Sequence, residues 1–216
     1  MKLTVPAVVL IVIVTGMLAR PEAAVSGRPL LTVRTYHVIS IQARDWKSVT
    51  RSATEILDRA GIDVDWVHCV AEDASRPATV PERCHLPFRK SEVALRIIRR
   101  PATPLSRRKP LGDSMVDAST HSGTLATIYL DHIESLAKEA GVSSNTVMAR
   151  AIAHELGHLL LGTSTHSAYG LMRPVWTADE LARDRRIDWT IAAEDGAQMR
   201  LAFNRRVDPQ PDVASN

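Results

Sequence analysis

The sequence predicts an α+β domain: a twisted mixed β-sheet with one early helix, followed by a long helix and a C-terminal helix. Two patterns carry this reading. Up to about residue 130 the apolar segments are short and rich in β-branched residues, apart from one early helical stretch. Beyond it, apolar residues recur at helical spacing. Composition agrees. With 216 residues, 45% hydrophobic and 24% charged, the chain is neither collagen-like, coiled-coil nor disordered, and its length fits one domain.

The elements follow in order. Val33, Tyr36, Val38 and Ile39 predict a first strand from Leu30 to Ile41. Asp45 is the expected N-cap of a helix, in which Trp46, Val49, Ala53, Ile56 and Leu57 share one face up to Gly61. Ile62, Val64 and Trp66 predict a second strand, and Glu92 to Arg99 a third. Leu111 to Val116 is a short fourth, and Thr124 to Leu130 a fifth. Ile133 to Ala140 predicts a short helix stopped by Gly141. Asn145 to Leu161 predicts a long one capped by Ser143 or Ser144. Thr177 and Glu180 form a capping-box signature that opens a polar helical segment, with a break, to Phe203.

Residues 1–26 read as a secretory signal peptide. Met1-Lys2 precedes an apolar stretch, and Ala24-Val25-Ser26 offers small residues before a cut at Gly27. Pro6 and the shortness of the run argue against a membrane anchor. The expected organisation is a signal peptide (1–26), one folded domain (27–206) and a flexible tail (207–216). The expected location is extracellular or periplasmic. Loss of Lys2, Arg20 and Glu22 lowers the formal charge from +3 to +2, which gives no case for nucleic-acid binding. Arg107-Arg108-Lys109 reads as a solvated loop. In an oxidising compartment Cys69 and Cys84 are expected to form a disulfide that staples a long connection.

The chemistry is concentrated in His154-Glu155-Leu156-Gly157-His158. On a helix, positions i and i+4 share a face, so the two imidazoles can bind one Zn2+. Glu155 stands beside them, where its carboxylate can act as general base toward a metal-activated water. Gly162 suits a left-handed C-cap, after which His166 is the candidate third ligand. His37, His68, His85, His121 and His132 lack ligand spacing and read as surface or hydrogen-bonded residues. The four tryptophans read as packing anchors.

With Leu171-Met172-Arg173-Pro174 downstream, this segment resembles the metzincin zinc proteases, most closely the matrixin branch. The resemblance implies a metzincin-like fold across roughly residues 30–205. It also implies zinc held by His154, His158 and His166, and Met172 in a turn beneath them. Substrate would then be an extended peptide along the 111–116 edge strand. The spacing departs from the family's HExxHxxGxxH: Gly162 lies eight and His166 twelve residues after His154, with Ser164 at the usual third-ligand position. The interval of eighteen from His154 to Met172 is the matrixin one. Arg83-Cys84-His85-Leu86-Pro87 echoes the cysteine switch of matrixin propeptides, but it falls between predicted strands and Cys69 is available to pair. The expected function is a secreted zinc-dependent endopeptidase. The alternatives are a zinc hydrolase of non-peptide amides and a catalytically silent binding module.

Overall fold

The computed structural model describes residues 27–37, 39, 41–69, 80–99 and 110–208. The expected signal peptide, the Arg107-Arg108-Lys109 loop and most of the expected tail lie outside the described residues. Five strands form one mixed sheet in the order β2-β1-β3-β5-β4. They are β1 (Leu30–His37), β2 (Asp63–His68), β3 (Glu92–Ile98), β4 (Gly112–Asp117) and β5 (Ser122–Tyr129). The first four in that order run parallel, and β4 pairs antiparallel with β5 at the edge. The helices are α1 (Ala43–Arg59), α2 (Leu130–Ala140), α3 (Ser144–Leu161), α4 (Ala178–Arg183) and α5 (Ala193–Val207).

Alternation along the strands separates two faces. Leu31 and Val33, Val93, Leu95 and Ile97, and Ala126 and Ile128 are buried together. They meet α1 and α3, which pack on each other. The other face is polar where it is buried. Arg34 and Glu92 pair there with almost no exposure. Arg83, from a 3-10 turn over Glu82–His85, donates to the second Glu92 oxygen at 2.6 Å. That turn, absent from the sequence reading, is tied to the end of β2 by the Cys69–Cys84 disulfide.

Several boundaries move. Among the described residues the first strand spans Leu30–His37 and leaves out Ile39 and Ile41, and α2 starts three residues before Ile133. Asp45 is not a cap: Gln42 holds that position without a side-chain bond, and Asp45 lies in the first turn. The Asp45 carboxylate instead accepts from Asn145 Nδ2 at 3.1 Å, tying the starts of α1 and α3. The C-terminal segment breaks into α4, a 3-10 turn over Arg186–Trp189 and α5. Arg206 closes α5 onto the sheet by donating to the carbonyls of Gly123 and Glu92.

Candidate metal centre and cleft

Helix α3 begins where the Ser143 hydroxyl accepts from the Asn145 N–H. It ends where Gly162, at φ +67°, donates to the His158 carbonyl. Every residue from Val147 to Leu160 is buried, so the histidine pair sits on a helix enclosed all round. Gly157, between the two histidines, leaves room for Met172. A Cβ there would stand 2.6 Å from the Met172 sulfur.

Main-chain carbonyls orient both imidazoles. His154 Nδ1 donates to Leu171 O and His158 Nδ1 to Thr163 O, each at 2.9 Å. Their Nε2 lone pairs therefore face each other across 3.1 Å. Two nitrogens about 2.0–2.1 Å from one tetrahedral zinc ion lie about 3.3 Å apart, so the pair is spaced for a shared metal. The turn after Gly162 brings His166 to the same point: ligand atoms of all three histidines fall within 4.8 Å of one another. Burial pushes the His154 imidazole down to about 4, against a raising bond to Leu171, and lowers His158 and His166 as well. At neutral pH all three offer the unprotonated nitrogen a zinc ion requires. The donor set suits zinc, and the cluster could hold it.

The cluster opens into a cleft of about 740 Å³. Gly112 to Ser114 of β4 form one wall, and Arg173 to Trp176 another. Glu155 lines the cleft at 6% exposure. Burial raises its carboxyl to about 7; the Ser114 hydroxyl opposes this and the Asp113 charge adds to it. Met172 is fully buried in a loop where Leu171 N–H donates to Thr190 O and Ser167 N–H to Met172 O.

The remaining histidines lie outside the cluster. His37 is packed edge-on against Trp46, and burial, with His68 adding, holds it at about 4. His121 sits in a left-handed turn, and His85 is exposed. His132 lines the cleft, with Nδ1 2.7 Å from Pro110 O. Trp176 combines two roles, packing on the core and standing edge-on to His154 with ring centroids 5.6 Å apart. Ser114 and Gly112 were not singled out from sequence. Their only sequence signal is the period-2 spacing that puts both on the inward side of β4.

No family model matches the sequence, and no curated protein matches it either. In three dimensions the chain is similar to archaemetzincin from Methanopyrus kandleri. The TM-score is 0.50 at 13% identity, over 84% of this chain and all of that one. The fold is metzincin-like. In this metzincin-like fold two histidines of the cluster that could hold zinc, His154 and His158, lie on α3, which packs against the antiparallel edge strand β4, and His166 follows in the loop after Gly162.

Proposed function

We propose that this chain is a secreted zinc-dependent endopeptidase. The observation that carries the reading is the meeting of His154, His158 and His166 in a cleft that also holds Glu155. The three histidines would hold the metal. When bound, Zn2+ supplies Lewis acidity, lowering the pKa of water toward about 7 and polarising a carbonyl. The carboxylate of Glu155 takes the proton of the attacking water and passes it to the leaving amine. Strand β4, whose outer edge has no partner strand among the described residues, would align an extended peptide by main-chain hydrogen bonds. Met172 would support the cluster from below, packed against Gly157. The disulfide supports export, because such bonds persist in oxidising compartments. Kinship with the matrixin branch rests on the His154–Pro174 motif alone.

The test is Glu155→Ala in zinc-loaded protein. Peptide hydrolysis should fall by a factor of at least about 100, with one zinc per chain and the thermal transition retained. Hydrolysis by the variant at the parental rate would sink the mechanism. A parent that binds zinc and cleaves no peptide would point to the silent module, and cleavage confined to small amides to the other hydrolase.

A further inference from the structure

We propose that Ser114 is a positioning residue for Glu155, and that Gly112 provides the space in which it works. The inference rests on the reading of Glu155 as proton carrier and names what holds it.

Gly112 and Ser114 alternate with exposed Asp113 and Met115, so both turn inward toward α3. The Ser114 hydroxyl lies 2.6 Å from Glu155 Oε2 and 2.8 Å from the Glu155 main-chain oxygen, donating to both in a shared arrangement. The other carboxylate oxygen occupies the space that a side chain at 112 would fill. A Cβ there would stand 2.8 Å from Oε1, 2.8 Å from Cγ and 2.7 Å from the main-chain oxygen of Thr127. One oxygen is thus hydrogen-bonded by β4 and the other is bounded by it. A glutamate has three side-chain torsions to fix, and a buried carboxylate needs a donor; the clamp meets both needs. Its strand is also the sheet edge, so the element proposed to dock substrate is the one that sets the carboxylate. A rigid element shared in this way keeps proton acceptor and substrate in register.

The experiment compares Ser114→Ala and Ser114→Thr in the zinc-loaded full chain. A double-mutant cycle of Ser114→Ala with Glu155→Ala is measured by urea denaturation of the metal-free chain. Ser114→Ala should lower kcat about 10- to 100-fold, with KM within about twofold of the parent and zinc stoichiometry unchanged. Ser114→Thr, which keeps a hydroxyl, should recover most of kcat. In the cycle the two losses should be non-additive. A parental kcat in Ser114→Ala overturns the proposal, as does a change in KM alone. So does a threonine variant as impaired as the alanine one. Should the zinc-loaded parent hydrolyse no peptide, the peptidase reading fails and the cycle decides the clamp by itself. Additive losses overturn it, and coupled losses uphold the Ser114–Glu155 contact.

Discussion

His166 departs furthest from the metzincin spacing, yet its ring centroid lies 4.8 Å from that of His158 and 5.3 Å from that of His154. Ser164, at the usual spacing, lines the cleft but offers only a hydroxyl. His166 is more exposed than its two partners and hangs on a loop, so its loss should spare the fold. His166→Ala is expected to weaken zinc binding by at least about 100-fold, since even outer-shell changes cost 10- to 100-fold. Competitive titration with a chromophoric chelator measures it, while the denaturation midpoint of the metal-free protein should barely move. Binding at the parental affinity would remove His166 from the ligand set. His154, Glu155 and His158 could be singled out from sequence because their spacing is local to one helix, and His166 because it follows the glycine that ends that helix. Ser114 and Gly112 could not, because their contact with Glu155 crosses about 41 residues and depends on which strand ends at the sheet edge.

Helix α3 owes its sharp end to Gly162, and here local rules predicted the structure correctly. The residue is left-handed, and any Cβ would collide with the main chain of His121, itself at φ +48°. Two costs therefore add in Gly162→Ala: more than about 1 kcal/mol for the backbone conformation, and a clash that neither main chain relieves easily. A destabilisation of about 2–4 kcal/mol is expected from urea denaturation. Zinc affinity should fall with it, because Thr163, next in the chain, supplies the carbonyl that orients His158. A variant of parental stability would show that this turn does not need its glycine. Asp45 departs from the local rule. A residue with good cap chemistry one turn too late is drawn instead to Asn145, a long-range partner that local pattern does not contain. Thr177 and Glu180 succeeded because both halves of a capping box lie within four residues: Thr177 accepts from the Glu180 N–H, and Glu180 from the Thr177 N–H.

The mixed sheet was legible as a set of strands, but its strand order and the ion pair on its polar face depend on tertiary pairing. Two devices secure that polar face. The Cys69–Cys84 bond closes a loop of sequence separation 15, which in the chain-entropy model stabilises the fold by about 3 kcal/mol. The double variant Cys69→Ser/Cys84→Ser should lose about that much in denaturation, and a loss below about 1 kcal/mol would show that the turn over β1 and β3 holds without it. Glu92 is the second device. Its burial favours the neutral acid, but the Arg89 N–H, Arg83 and the paired Arg34 outweigh this and hold the carboxyl below its ordinary value. A carboxyl depressed in the folded state contributes stability above its unfolded pKa of about 4.3 and loses it as pH falls through the lower folded value. Stability should therefore decline with falling pH from about 5 downward. Glu92→Gln should be less stable at neutral pH, because it leaves the Arg34 charge, 1% exposed, without a counter-charge, by about 3 kcal/mol or more. Its decline across the acid range should be shallower than the parent's, because the group that takes up the proton is gone. Urea denaturation of both proteins between pH 3 and pH 7 measures this difference in slope; parallel curves would show that Glu92 binds protons alike in the folded and unfolded chain.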